Sequence, residues 1–193
     1  AQECIKNSIQ PIIGTSINLL DVQIKNKISQ LSFLCKNETG YKNLIYLSSI
    51  SYLNKSYDIG ITIKDLENHS EGLFCFLGGE YNPLMILHNE NKNTDELINI
   101  LKKLFNENLL FELQRINDSE IDSFENFLIE KSNEFNVPLI GTNNIKFGEQ
   151  DEFSAHDALL CVAQKTTINN GNRKTSNNQI AFKNNEEMCE LFS

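Results

Sequence analysis

The chain has few of the residue types from which catalytic and nucleic-acid-binding sites are usually built. It has no tryptophan, three histidines and three prolines among 193 residues, and its arginines are Arg115 and Arg173. The formal net charge is -9, and the isoelectric point is near 4.9. A surface that grips a phosphate backbone needs clustered Lys and Arg, so this composition indicates that the chain is not the main contact for a nucleic acid.

Long apolar runs and paired cysteines are also missing. No stretch approaches the roughly 18 apolar residues that a membrane-spanning helix needs, so we expect no membrane association. The five cysteines are odd in number and include no Cys-x-x-Cys pair. This pattern argues against a disulfide framework or a structural zinc site, and it favours free thiols in a reducing cytoplasm.

Catalytic motifs are scarce as well. The sequence has no P-loop, no dinucleotide-binding fingerprint and no HExxH. Ser154, His156 and Asp157 lie too close together at a predicted helix start to converge as nucleophile, base and orienting acid. The spacing of Ser154 and Asp157 instead favours a capping box. The other histidines, His69 and His88, lie in polar segments.

Two short stretches of the chain repeat each other, residues 9–15 (IQPIIGT) and residues 136–142 (NVPLIGT). Each follows a helix-like segment, enters on a proline and runs through apolar residues to Gly-Thr. Proline is tolerated at the first residue of a strand, and a continuous apolar run implies burial on both faces. Each stretch therefore predicts a buried parallel strand.

The residues after these two strands would lie at the carboxyl edge of the sheet, where such folds place their chemistry. They are Ser16 in one case and Asn144 and Lys146 in the other. Residues i and i+2 of a strand share a face, so Asn144 and Lys146 would project together. Asn is a poor metal ligand and a lysine ammonium repels a cation, so this edge is predicted to lack a metal.

Strands and helices alternate along the rest of the chain, which predicts an α/β fold with a largely parallel sheet or barrel. The glycine pair at residues 78–79 ends one strand, and an ordinary turn is favoured there over a phosphate-binding nest. A polar surface loop is expected over residues 164–179. The predicted strands are 30–36, 72–77 and 109–114, and the predicted helices are 38–54, 93–106, 119–135, 154–163 and one from about residue 184.

A series of weak motifs runs in order over nearly the whole chain. They are residues 9–15 (IQPIIGT), 34–44 (LCKNETGYKNL), 47–49 (LSS), 71–73 (EGL), 111–115 (FELQR), 137–147 (VPLIGTNNIKF), 155–161 (AHDALLC) and 184–192 (NNEEMCELF). As a set, these motifs resemble the PHP (polymerase and histidinol phosphatase) domain of bacterial DNA polymerase III alpha subunits. The resemblance implies a PHP-type distorted (β/α) barrel that is incomplete at its N-terminus. Residues 1–183 would be a PHP-domain fragment lacking its first strands, and residues 184–193 would begin the connection toward the polymerase palm.

The resemblance also implies a degenerate metal site. In family members with an intact centre, the ligands are a Glu at the position of Ser16, a His at Gln30, a Cys near Gly79, an Asp at Asn144 and a His at Lys146. All five positions differ in this chain. Cys75 is close to Gly79 in sequence but would be out of register. We therefore expect no catalytic residue, cofactor or metal in this fragment.

The function implied by the resemblance is that of a non-catalytic part of a bacterial replicative DNA polymerase. The parent would be a nucleotidyltransferase with Mg²⁺ in its palm, and other domains would bind most of the DNA. The expected partners are the rest of the alpha chain and a proofreading exonuclease subunit. The alternative is a metal-dependent phosphoesterase or 3′-5′ exonuclease of the PHP family, either within the polymerase or as a stand-alone phosphatase.

Overall fold

A computed structural model describes residues 1–22, 29–53, 59–79, 81–117 and 119–193. These residues form two compact units, one of Ala1–Glu112 with Glu130–Leu139 and one of Leu113–Ile129 with Ile140–Ser193. The strands are β1 (Gly14–Asn18), β2 (Gln30–Cys35), β3 (Leu73–Gly78), β4 (Leu109–Gln114) and β5 (Leu139–Thr142). The helices are α1 (Gln2–Lys6), α2 (Glu38–Leu53), α3 (Ile63–Glu67), α4 (Pro83–Asn89), α5 (Asp95–Phe105), α6 (Ser119–Phe135), α7 (Phe153–Ala163) and α8 (Asn185–Leu191).

The strands form a mixed sheet in the order β1-β2-β3-β4-β5. The predicted α/β class is confirmed, but β1 and β3 each pair antiparallel with β2, and β3 pairs parallel with β4. The expectation of a largely parallel sheet is therefore wrong for the first three strands. Residues 19–29 join β1 to β2. A parallel pair needs a crossover of about a dozen or more residues, so this short connection favours an antiparallel pair. The closed barrel stays a prediction.

The first predicted strand, over residues 9–15, is wrong in its bounds and in its burial. Residues 9–12 belong to no strand, and Ile9 and Ile12 are 60% and 74% exposed. Pro11 has no N–H to give to a ladder. Pairing begins where the Ile13 carbonyl accepts the N–H of Cys35 at 2.8 Å. Ser16 consequently lies inside β1 and not beyond its end.

The second predicted strand is present but shorter and less buried than expected. β5 begins at Leu139, and its residues alternate between exposed and half-buried. Asn136 has a positive φ of 50° where α6 ends, so the extended strand starts only after Pro138. The Pro138 carbonyl accepts the N–H of Phe111 at 2.9 Å.

The other predicted strands and helices are confirmed to within a few residues, and Asn54 lies outside the described residues. β4 and α6 have the predicted bounds. In α2, Leu44 and Leu47 are buried, whereas Tyr41 and Ile45 are 43% and 49% exposed. The buried stripe of α2 runs through Gly40, Leu44, Leu47 and Ser51. No helix among the described residues has an apolar stretch long enough to cross a bilayer.

The predicted capping box at Ser154 is wrong. The helix α7 begins at Phe153, one residue earlier, and its N-cap residue makes no side-chain cap bond. Asp157 pairs with Arg173 instead, a contact between residues 16 positions apart. A capping box does occur at the predicted start of the last helix, where Asn184 and Glu187 bond each other's backbone N–H.

The core of the first unit lies against one face of the sheet. Every second residue of β2, β3 and β4 points into it, as strand alternation requires. The buried side chains on this face are Ile17, Leu31, Phe33, Cys75, Leu77, Leu109 and Phe111. The opposite face of β1 and β2 carries polar side chains, and it contains two of the five expected ligand positions.

We predict that Gly40→Ala destabilises the first unit although alanine is the better helix former. A Cβ at Gly40 would lie 1.8 Å from the backbone oxygen of Gly72. Overpacking of this kind costs about 1–3 kcal/mol, more than the roughly 1 kcal/mol that Ala gains over Gly in a helix. Urea denaturation measures the change. Gly171→Ala is the control, because no atom lies within 4 Å of its Cβ position. Equal stability of the two variants would contradict the prediction.

Candidate functional site

Two of the expected ligand positions, Ser16 and Gln30, lie on the polar face of the β1–β2 ladder. Ser16 is opposite Ser32, and their hydroxyl oxygens are 2.8 Å apart. Gln30 is opposite Asn18 and donates from Nε2 to Asn18 Oδ1 at 2.9 Å. Asn18 in turn donates from Nδ2 to the Ile59 carbonyl at 2.9 Å. Each position therefore holds a neutral side chain that bonds to its cross-strand neighbour.

The third position, Gly79, lies in the turn between β3 and α4. Gly79 has φ of +74°, and its carbonyl accepts the N–H of Asn82 at 3.3 Å. Asn82 then caps α4 by accepting the N–H of Leu84. Gly78 is required by close packing, because a Cβ there would lie 2.4 Å from the Glu112 carbonyl oxygen. These contacts favour the predicted turn over a phosphate nest.

Cys75 is not a substitute ligand at this edge. Its neighbour in the β2 register is Phe33, so it lies on the core face of the sheet. The side chain is fully buried, and burial raises the pKa of its thiol. A thiol kept protonated in an apolar core is a poor metal ligand, which agrees with its expected position out of register.

Asn144 and Lys146 lie in the second unit, in a segment that follows β5. This segment is fixed by residues 180–182. Asn143 donates from Nδ2 to the Ala181 carbonyl at 2.7 Å, and the Lys146 N–H donates to the Ile180 carbonyl at 3.0 Å. The Lys146 side chain is exposed, and Asn144 is half-buried. The backbone at this expected ligand position is thus held by hydrogen bonds, and the Lys146 side chain carries a positive charge.

Two of the histidines, His69 and His156, make side-chain contacts within their own units. The His69 ring stacks on Tyr46 with centroids 3.9 Å apart, and its Nδ1 is 3.0 Å from the Asp65 carbonyl oxygen. His88 lies in the last turn of α4. His156 Nδ1 is 2.6 Å from the hydroxyl of Ser176, and not of Ser154. The rejection of a triad at Ser154 is therefore consistent with the contacts that His156 makes.

A buried ion pair ties the polar loop after α7 to the helix. Arg173 donates from both terminal nitrogens to the two Asp157 oxygens at 2.7 Å, and Asp157 also accepts the Ser176 N–H at 2.8 Å. The Arg173 hydrogen bonds and the Ser176 N–H lower the pKa of Asp157 to about 2. Gln164 further exchanges two hydrogen bonds with the backbone of Lys174.

The side chains at the five positions are of types that bind metals weakly or not at all. Within the described ranges, no three His, Cys, Asp or Glu side chains are grouped so that they could hold a metal ion. Ser16 and Gln30 offer a hydroxyl and an amide, both already hydrogen-bonded. Neutral groups of this kind are weaker ligands than a carboxylate or an imidazole.

Asn18 and Ser32, the partners of Gln30 and Ser16, are not among the residues predicted from the sequence. A signal for them was present. Polar residues alternate with apolar ones in both strands, at Ser16 and Asn18 and at Gln30 and Ser32. This period of two predicts a polar face on each strand, but the sequence does not give the register that joins them.

Comparison with known families identifies the chain. The model of the PHP domain matches residues 1–116. The chain belongs to the PHP domain family, as its motifs indicated.

The curated relatives place this domain in a larger context. The chain is 37% identical to DNA polymerase III subunit alpha of Borreliella burgdorferi over 100% of its length, and 33% identical to that of Rickettsia bellii over 98%. It is 31% identical to the Campylobacter jejuni protein over 96% of its length. The chain spans only 16–18% of the length of these relatives.

We predict that Asn18 and Gln30 are energetically coupled. A double-mutant cycle with Asn18→Ala and Gln30→Ala should give a coupling free energy of about 0.5–1.5 kcal/mol, the usual net contribution of one hydrogen bond. Urea denaturation of the four proteins measures it. Pairing either substitution with Asn43→Ala gives the control, because Asn43 bonds the Glu71 backbone elsewhere. Additive effects of Asn18→Ala and Gln30→Ala would contradict the predicted pair.

We predict that the loop after α7 loosens in acid. The pKa of Asp157 falls from 3.8 to about 2 in the folded chain. Its stabilising contribution is therefore complete above about pH 4 and is lost as the pH falls toward 2. Hydrogen exchange of the Ser176 amide, corrected for intrinsic rates, measures the opening. Asp157→Asn should remove the pH dependence in this window, and an unchanged profile in that variant would contradict the assignment.

Proposed function

We propose that this chain is the PHP-domain part of a bacterial replicative DNA polymerase alpha subunit acting in the cytoplasm. In this proposal it is a structural and docking module, and its metal site is degenerate. Nucleotide addition and its Mg²⁺ belong to the remainder of the parent chain. The names of the curated relatives and their coverage of nearly the whole chain support the parent.

One observation carries the proposal of a degenerate site. The side chains at the Ser16 and Gln30 positions form neutral hydrogen bonds with the facing strand, so they serve the sheet without a metal. A cation would have to break these bonds to gain two weak ligands. At the Lys146 position, an ammonium stands where the family has a ligand, and an ammonium has no lone pair to give to a metal ion.

The docking role is supported by the length of the relatives, most of which lies outside the segment that matches this chain. The relatives are about six times longer than the matched segment, since it spans 16–18% of them. The rest of the alpha chain is therefore the first expected partner. A proofreading exonuclease subunit is the second, by the resemblance to polymerases that carry one.

The test uses the full-length protein that contains this chain. After dialysis against zinc and manganese, we expect no bound ion that depends on Ser16, Gln30, Asn144 or Lys146. Elemental analysis of the wild type and of an Asn144→Ala, Lys146→Ala variant measures this dependence. Stoichiometric zinc or manganese that the variant loses would refute the degenerate site.

Exonuclease activity provides the second arm of this test. We expect the wild type and the variant to remove a mismatched primer end at the same rate. Their rates of nucleotide addition should also be equal. Gln30→Leu is a second variant, with its substitution in the first unit, and it should give the same result. A metal-dependent 3′-5′ exonuclease or phosphoesterase activity that falls in both variants, with melting temperatures preserved, would establish the alternative function.

A further inference from the structure

The helix α8 is exposed or half-buried along its whole length. None of its residues is buried, and Met188, Leu191 and Phe192 near its inner side are only half-buried. A pocket of about 580 Å³ lies between this helix and residues 148–150. Glu187, Glu190 and Leu191 of the helix line this pocket.

Arg115, the residue directly after β4, holds the C-terminal end of this helix. Its Nε and Nη2 donate to the Glu125 carboxylate on α6, at 3.1 and 2.7 Å. Its Nη1 donates to the Leu191 carbonyl at 2.6 Å. The last carbonyls of a helix have no intrahelical partner and carry partial negative charge, so a cation is well placed there. One guanidinium thus joins α6 to the end of α8.

The Phe192 ring is the second contact at this end. It lies 5.1 Å from the guanidinium carbon of Arg115, within the range of a cation–π interaction. The same ring packs on the backbone of Gly141 in β5, where a Cβ would lie 2.7 Å from it. Both contacts fall on the last residues of the helix or just beyond them.

Different bonds hold the segment that precedes the helix. The Phe182 N–H donates to the Phe147 carbonyl at 2.9 Å. The Lys183 ammonium donates to the Gln179 carbonyl. These bonds do not involve Arg115, so they can persist when the C-terminal end detaches.

We propose that α8 is a strap that closes the pocket and that Arg115 is its latch. When Arg115 leaves the Leu191 carbonyl, the helix turns about residues 183–184 and opens the pocket. The Glu125 carboxylate orients the guanidinium toward the end of the helix. An arginine can bind both groups at once because its donors form a rigid planar fork, whereas lysine offers one point charge. The inference goes beyond the proposed function and does not depend on the activity of the parent.

Hydrogen exchange followed by mass spectrometry on the full-length protein tests the latch. In Arg115→Gln, we expect the amides of residues 185–192 to exchange about tenfold faster or more, since one charge-assisted hydrogen bond shifts a local opening equilibrium by that factor. Arg115→Lys and Glu125→Gln should also raise the exchange rates of these amides, but by smaller factors. Peptides of β3 should keep their wild-type rates.

Arg173→Gln is the matched control, because it removes the chain's other bidentate arginine without touching α8. It should loosen the loop after α7 and leave residues 185–192 unchanged. Gly141→Ala is an independent variant that displaces the Phe192 ring and should also open the strap. Wild-type exchange of α8 in Arg115→Gln or in Gly141→Ala, or equal acceleration in Arg173→Gln, would overturn the proposal.

Discussion

The second unit depends on the forked ion pairs of its two arginines. Arg173 binds Asp157 and fixes the loop after α7, and Arg115 binds Glu125 and fixes the end of α8. Lys and Arg together number 17, and only these two are arginine. A planar fork can satisfy a carboxylate with two parallel bonds, which an ammonium cannot do. The few arginines of this chain are therefore found where that geometry is used.

The two units are stabilised in different ways. The first buries a continuous apolar face of its sheet, with Phe33, Phe105 and Phe111 among its fully buried side chains. In the second unit, few large apolar side chains are buried. Its long polar segments are held by side-chain bonds to backbone, such as those of Asn143 and Gln164. A unit of this kind gains its shape from directed bonds, so single polar substitutions should act on local parts of it.

Sequence patterns predicted those parts of the fold that depend on local information. The helical period of α5 and α6 and the apolar alternation of β4 are set by residues within one element, and their bounds were found to within two residues. The capping box at Ser154 failed because Asp157 forms a stronger bond with a distant arginine. The first strand failed because Pro11 delays pairing, and the antiparallel order of β1, β2 and β3 is a tertiary property that no single segment encodes.

The candidate site shows the same division. The residue types at Ser16, Gln30 and Lys146 were read directly from the sequence, but what those side chains do required the register of β1 on β2. In the proposed degenerate site, the cross-strand bonds of Ser16 and Gln30 account for how a sheet can keep its order without a metal. A metal ion joins strands by accepting electron pairs from several of them at once. Hydrogen bonds such as Gln30 to Asn18 join the same strands in pairs, and they need neither charge nor an ion. A polar face of this kind joins β1 to β2 through neutral side chains.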